Sequence, residues 1–271
     1  TYTFVVRLTD AAGNSSDTAL VDVVVDNTAP ATTTGLAIAP DTGAVGDFIT
    51  QLAADAQLTL SGTLPEKLLM VTISEGTTVL ATKTCAGDDQ AFALAFPLAE
   101  GTHALTIITT DVAGNSTALN QTVVIDNTAP AVPTNLVLAP DHGLSATDGI
   151  TWLADNEELA LAFLLPERPV HIALAYRLAG SQALVDLYLA DRPAEESLQA
   201  LIPVDLRDGG SYTLVLSIAD PAGNQSTPVT LPLTIDTTPL TATISGQPVK
   251  PGDDDSLTIT FSDDIVDGEA A

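Results

Sequence analysis

The chain of 271 residues carries 35 acidic and 8 basic side chains, which give it a formal net charge of -27. This charge excludes nucleic acid and anionic membrane surfaces as favoured partners, because both are themselves negative. Hydrophobic residues make up 45% of the sequence and aromatic residues only 4%, so we expect folded units with cores of small aliphatic side chains.

Short segments rich in Val, Ile, Leu and Thr recur along the chain between turns rich in Gly, Pro and Asp. Their partly alternating polarity predicts β-strands. One or two helical turns are predicted over 191–201, beginning at Pro193. No run of about 18 apolar residues exists, so no membrane insertion is expected. In chain order, the predicted strands span 2–8, 19–25, 36–39, 57–62, 69–75, 78–84, 90–96, 103–109, 117–125, 136–139, 158–163, 171–177, 183–190, 198–203, 212–218 and 228–235.

A repeated peptide divides these strands into units. Asp-Asn-Thr-Ala-Pro occurs at 26–30 and 126–130, and a variant begins at Asp236. A loop of sequence Asp-x-Ala-Gly-Asn lies about a dozen residues before each copy. Seven strands in about 100 residues are typical of an immunoglobulin-like β-sandwich, so we predict an all-β fold of tandem immunoglobulin-like β-sandwiches arranged end to end. The predicted pieces are the last strands of a preceding unit (1–26), two complete units (27–126 and 127–236) and the first strands of a divergent unit (237–271).

The strand count also predicts which loops meet. Because an odd number of antiparallel strands carries the chain from one pole of a sandwich to the other, each junction should gather three segments. These are the first turn of the unit before, the linker, and the last turn of the unit after. The oxygen-bearing residues expected there are Asp26, Asn27, Asp111 and Asn115 at the first junction, Asp41, Asp47, Asp126, Asn127, Asp220 and Asn224 at the second, and Asp141, Asp148 and Asp236 at the third.

Carboxylates gathered this closely repel one another unless a cation lies between them. Calcium takes six to eight oxygen ligands, whereas zinc prefers His or Cys. The three histidines are dispersed, and the single cysteine, Cys85, allows no intrachain disulfide. A tight turn with a Gly of positive φ also explains the Asp-x-Ala-Gly-Asn loop. That turn alone does not explain the second Asp before Thr-x-Pro, so we predict Ca²⁺ at the junctions.

The strings Asp-x-Ala-Gly-Asn-x-Ser, Val-x-Ile-Asp-Asn-Thr-Ala-Pro and Leu-x-Leu-Ala-Pro-Asp-x-Gly resemble the bacterial Ig-like repeats of giant type I-secreted adhesins, the RTX or biofilm-associated adhesins, over residues 1–239. The resemblance implies a secreted, monomeric stalk segment at the bacterial cell surface, which serves cell adhesion or biofilm formation. Its partners would be neighbouring repeats of the same chain and, through the parent protein, a host-cell or matrix ligand. Pro221 and Thr237 depart from the family pattern. The family's inter-domain calcium positions correspond to Asp26, Asp111, Asp126, Asp220 and Asp236.

A second interpretation is a ligand-binding Ig-like module that contacts a glycan or a receptor. It is based on an insertion near residues 168–196, which contains Tyr176 and Tyr188 among basic residues. An enzyme is not expected, because no Ser-His-Asp grouping, phosphate-binding loop or metal-hydrolase His motif can be assembled from this sequence. The sequence begins within a predicted strand, so we expect it to be an internal piece of a longer protein.

Overall fold

The computed structural model describes residues 1–17, 19–67, 70–87, 89–142, 145, 148–154, 157–167, 169–193, 199–206, 209–245 and 258–262. Within these ranges every regular element is a β-strand, which confirms the predicted all-β class. No helix in the described part of the chain is long and apolar enough to cross a membrane. The sequence predicted one or two helical turns over 191–201, but strands occupy both ends of this segment. Residues 194–198, in its middle, lie outside the described ranges.

The first residues form a hairpin, in which β1 (Tyr2–Val6) pairs antiparallel with β2 (Ala19–Val23). The two strands form a sheet of their own. Their apolar side chains, among them Tyr2, Phe4 and Leu20, are exposed. Two strands alone bury too little surface to form a core.

The first complete unit is a sandwich of two sheets. A three-stranded sheet has the order β3-β5-β8, and a five-stranded sheet has the order β4-β10-β9-β6-β7. Alternating side chains of both sheets point inward and build one aliphatic core, in which Leu60, Phe92 and Ile107 are buried. The strands are β3 (Thr34–Ala39), β4 (Ile49–Thr50), β5 (Leu58–Thr63), β6 (Met70–Glu75), β7 (Thr78–Thr84), β8 (Ala91–Phe96), β9 (Gly101–Thr110) and β10 (Ser116–Ile125).

The second complete unit repeats this plan. Its sheets have the orders β11-β13-β16 and β12-β18-β17-β14-β15, around a core that includes Leu161, Phe163 and Leu216. Its extra residues lengthen the hairpin of β14 and β15 and the connection between them. The strands are β11 (Thr134–Ala139), β12 (Ile150–Thr151), β13 (Leu159–Leu164), β14 (Val170–Leu178), β15 (Val185–Arg192), β16 (Gln199–Val204), β17 (Gly210–Ala219) and β18 (Val229–Ile235).

Each complete unit has eight strands among its described residues, where the sequence predicted seven. The additional strand is only two residues long, Ile49–Thr50 in the first unit, and pairs parallel with the end of β10. Two residues are too few to show a period-two pattern, which is why the sequence did not reveal it. The Asp126 amide donates to the Thr50 carbonyl at 3.0 Å, so this strand ties the first turn of the unit to the following linker.

After the second unit, β19 (Ala242–Ser245) pairs antiparallel with β20 (Thr258–Phe261). Cys85 lies one residue beyond β7 and is fully buried in the first core. Burial raises the pKa of its thiol above the ordinary range, so the reactive thiolate is disfavoured at neutral pH.

Candidate functional site

The junction between the two complete units brings two distant segments of the chain together. The first is the turn 41–47, which connects β3 to β4, and the second is the loop 220–224, which follows β17. The Thr42 hydroxyl donates to the Ala222 carbonyl at 2.6 Å, and the Ala44 amide donates to the Pro221 carbonyl at 3.2 Å. The last turn of one unit therefore contacts the first turn of the unit before it.

The linker between the units completes the same junction. The Asn224 side-chain amide donates to the Asp126 carbonyl at 2.9 Å. On the other side, the Leu52 amide donates to Oδ1 of Asn127 at 2.9 Å. The linker is thus hydrogen-bonded to both units, and its Asn127 side chain accepts a hydrogen bond from the first unit.

The Asp-x-Ala-Gly-Asn loop is organised by its own two ends. In the loop 220–224, the Asn224 amide donates to Oδ1 of Asp220, and the Asn224 side chain donates to Oδ2, both at 2.9 Å. Only 6% of Asp220 and 8% of Asn224 is exposed. The same two bonds form in the loops 10–14 and 111–115, so the Asp–Asn spacing has a local structural role in all three copies.

These internal bonds change the acidity of the loop aspartates. The side-chain amide of Asn115 holds the pKa of Asp111 below its ordinary value of 3.8, and Asn14 does the same for Asp10. A carboxyl with a lowered folded-state pKa stabilises the fold above its unfolded-state pKa. That stability is lost as pH falls through the folded-state pKa.

We therefore expect Asn115→Ala to raise the pKa of Asp111 toward its ordinary value, because the largest cause of the shift is removed. Carboxyl chemical shifts followed by NMR through a pH titration would measure the change. Asp10 is an internal control, since its own partner, Asn14, is intact. An unchanged Asp111 titration in the variant would contradict this assignment.

The linker aspartates cap the backbone that follows them. Asp26, Asp126 and Asp236 each accept a hydrogen bond at Oδ1 from the amide two residues later. Asn27 is exposed beside Asp26. In each linker aspartate one carboxylate oxygen is therefore engaged in a local turn.

In the first turn of each complete unit, one aspartate has a buried carboxylate oxygen without a hydrogen-bond donor. Oδ2 of Asp41 accepts from the Gly46 amide at 2.8 Å. Its other oxygen, Oδ1, is buried without a hydrogen-bond partner, and so is Oδ1 of Asp141 at the corresponding position of the second unit. Asp47 and Asp148 each accept from the amide two residues later. A buried carboxylate oxygen without a donor is costly unless a cation or water contacts it.

Sequence reasoning missed one acidic residue at this junction, Glu167. Glu167 is an exposed residue, yet desolvation of its carboxyl, followed by the negative charges of Asp220 and Asp126, raises its pKa. The missed signal is a repeated motif, Leu-Pro-Glu followed by a basic residue, which places Glu66 in the first unit where Glu167 stands in the second. Two carboxylates, one from the linker and one from the second unit, therefore act electrostatically on Glu167 at the second junction.

The described residues contain no group of three or more His, Cys, Asp or Glu side chains that converge closely enough to hold a metal ion. The predicted sets are thus only partly assembled. At the first junction the Asn115 side chain donates to the Asp26 carbonyl at 3.2 Å. At the third junction, Asp141 and Asp148 belong to the second unit, while Asp236 lies in the linker that follows it.

A cleft of about 710 Å³ opens beside the contact of turn 41–47 with loop 220–224. Residues of both units line it, among them Ala44, Asp47, Val170, His171, Asp191, Arg192 and Pro193.

The two tyrosines that suggested a ligand site, Tyr176 and Tyr188, are half-buried. Tyr176 packs edge-on against Tyr212, with 5.6 Å between the ring centroids. Both tyrosines therefore contribute to the core of the second unit.

Comparison with known proteins gives one family match. Residues 28–127 match the family model described as bacterial Ig-like domain. This confirms the resemblance to bacterial Ig-like domains that was inferred from the motifs, and domains of this kind are typically non-catalytic structural or binding modules. No curated protein matches the chain.

Solved structures similar to this chain include fibronectin(III)-like modules of CbhA from Clostridium thermocellum, at 14% identity and a TM-score of 0.43, over 74% of this chain and 94% of that one. A Ca²⁺-stabilized adhesin that helps an Antarctic bacterium bind ice has 18% identity and a TM-score of 0.34, over 89% of this chain and 58% of that one. The BSP domain of a biofilm associated protein has 18% identity and a TM-score of 0.25, over 70% and 29%.

Proposed function

Residues 28–127 are a bacterial Ig-like domain, and from this premise we propose that the protein is a non-catalytic extender segment of a large bacterial surface adhesin. In this role the units act as spacers in a secreted rod that serves cell adhesion or biofilm formation. Such a rod requires a defined angle between consecutive units. The observation that carries the proposal is the contact of turn 41–47, the linker at Asp126 and loop 220–224 at a single junction.

We further propose that calcium binds at the junctions and stiffens them. The donors available are carboxylate, amide and main-chain oxygens, which are the ligands that calcium prefers. Two observations support the fit. The buried Oδ1 of Asp41 has no hydrogen-bond donor, and the charges of Asp220 and Asp126 help to raise the pKa of Glu167. A divalent cation would stabilise both arrangements.

In this proposal the second junction has the most complete set of ligands, with Glu167 added to the residues predicted from sequence. The carboxylates already accept hydrogen bonds in their own loops, so calcium would use their remaining lone pairs or turn the side chains. The proposed ligands there are Asp41, Asp47, Asp126, Asn127, Glu167, Asp220 and Asn224. By repetition, the first junction would use Asp26, Asn27, Asp111 and Asn115, and the third would use Asp141, Asp148 and Asp236.

Isothermal titration of the chelator-treated chain with calcium tests this proposal directly. We expect saturable binding that Asp220→Ser weakens at the second junction, because the variant removes a buried carboxylate. Asp186→Ser is the matched control, since Asp186 is exposed on β15. Absence of calcium binding, or equal binding by the two variants, would refute calcium at this junction and leave the extender role to be judged by rod rigidity alone.

A further inference from the structure

The two complete units touch through backbone and hydroxyl groups that need no ion. In the contact of turn 41–47 with loop 220–224, one bond is donated by the Thr42 hydroxyl and one by the Ala44 amide. Both acceptors are main-chain carbonyls of the other unit. A hydrogen bond between such neutral groups does not depend on a cation.

The contact also brings two glycines against each other. A Cβ added to Gly43 would lie 2.0 Å from the Pro221 carbonyl oxygen and 2.7 Å from the Gly223 amide nitrogen. A Cβ added to Gly223 would lie 3.0 Å from the Gly43 amide nitrogen. Because the nearest atoms are backbone, they cannot move aside as a flexible side chain would. Any residue larger than glycine at position 43 must push the units apart.

Burial shows how much of loop 220–224 this contact covers. Ala222 is fully buried, whereas Ala113, at the same position of loop 111–115, is exposed, and so is its neighbour Val112. The two loops have the same internal hydrogen bonds. The difference in burial therefore comes from turn 41–47, which covers loop 220–224. Loop 111–115 has the same kind of surface, but this surface is exposed.

We propose that turn 41–47 and loop 220–224 form an ion-independent clasp that fixes the angle between consecutive units, and that residues 42 and 43 select which repeat can follow. The partner of the turn is an Asp-x-Ala-Gly-Asn loop with a glycine opposite Gly43. By the same logic, loop 111–115 is the docking surface for an Asp-Thr-Gly turn of a preceding repeat.

The second unit carries a different residue at the selecting position. His142 stands where the first unit has Thr42, and its Nε2 lies 2.9 Å from Oε1 of Glu157. The ring also stacks on Trp152 with 4.7 Å between centroids. A side chain held in this way does not offer the hydroxyl that bonds to Ala222. The turn of the second unit therefore accepts a different following loop, which fits the divergent sequence after residue 239.

The clasp can be tested by comparing two glycine variants in the full chain. Gly43 and Gly46 both have positive φ, +74° and +89°, so alanine brings similar backbone strain at either position. A Cβ on Gly46 meets nothing within 4 Å. Nitroxide labels on Val79→Cys and Leu189→Cys, in a Cys85→Ala background, would report the distance between the units by double electron–electron resonance.

We expect a narrow distance distribution for the parent and for Gly46→Ala, and a broad or shifted one for Gly43→Ala. The same ranking is expected in saturating calcium and in chelator. Thr42→Val should broaden the distribution and Thr42→Ser should not, which provides a second test if Gly43→Ala unfolds the first unit. The proposal is overturned if Gly43→Ala matches Gly46→Ala, or if chelator alone makes the parent as broad as Gly43→Ala.

The outcome is separable from that of the calcium proposal. If the chain binds no calcium, the difference between the two glycine variants is still expected. If calcium binds but the glycine variants do not differ, the junction is held by the ion and the clasp contributes nothing.

Discussion

Removal of calcium is expected to lower the melting temperature of the chain and to reduce the stiffness of the junction between its two complete units, though by less than disruption of the contact between turn 41–47 and loop 220–224. An ion that binds only the folded state adds about 2.7 kcal/mol of stability when its free concentration is a hundredfold above Kd. For a unit of about 100 residues, this corresponds to a fall on the order of 10 °C in chelator. Thermal unfolding followed by circular dichroism measures the first effect, and small-angle X-ray scattering measures the second.

The control must distinguish specific binding of calcium from the screening of the carboxylate charges by any added salt. With a net charge of -27, any salt weakens the repulsion among the carboxylates and raises stability somewhat. Magnesium at the same concentration supplies equal charge but prefers a stricter octahedral site. Stabilisation by calcium well beyond that by magnesium is the expected result. Equal melting curves and scattering profiles in calcium, magnesium and chelator would remove calcium from the function of this chain.

Glu167→Gln is expected to have opposite effects with and without calcium. In chelator, the variant should be more stable by up to about 1 kcal/mol, because a carboxylate whose charge is disfavoured by desolvation and by the charges of Asp220 and Asp126 becomes neutral. In calcium, it should bind the ion at least about tenfold more weakly, since a charged ligand is lost, which is about 1.4 kcal/mol. Calorimetric titration and urea unfolding in both conditions would measure the two effects.

The difference in stability between the parent and Glu167→Gln should also change with pH in a defined direction. A carboxyl with a raised folded-state pKa contributes stability that is complete below its unfolded-state pKa and is lost as pH rises through the folded-state pKa. For Glu167 this loss begins near the ordinary value of 4.5 and extends above it. In chelator, the parent should therefore lose stability relative to Glu167→Gln as pH rises through this window.

Glu66→Gln is the matched control for this substitution, since Glu66 occupies the same motif position in the first unit. It should leave calcium binding at the second junction unchanged. If Glu167→Gln destabilises the chain equally in calcium and in chelator, its carboxylate supports the fold by another contact. If it changes neither condition, Glu167 takes no part in the junction.

The repeated peptides predict units of about 100 residues and the segments that meet between them. Asp-Asn-Thr-Ala-Pro marks the linkers, and the spacing of strands predicted the sandwich, because a one-sided core imposes a period of two on each strand. The same argument predicted that turn 41–47 and loop 220–224 would approach each other. These features are local or periodic, so they are visible in a sequence without coordinates.

What the sequence determined by itself, then, is the all-β class, the repeat and which segments carry the candidate oxygen donors. Only the tertiary structure decided which atoms of those donors are already engaged, that the charges of Asp220 and Asp126 act on Glu167, and that Gly43 packs against Gly223. The physical reason is that these facts depend on distances of a few ångströms between residues about 40 to 180 positions apart in the chain, which are set by how two sandwiches dock and not by any local pattern.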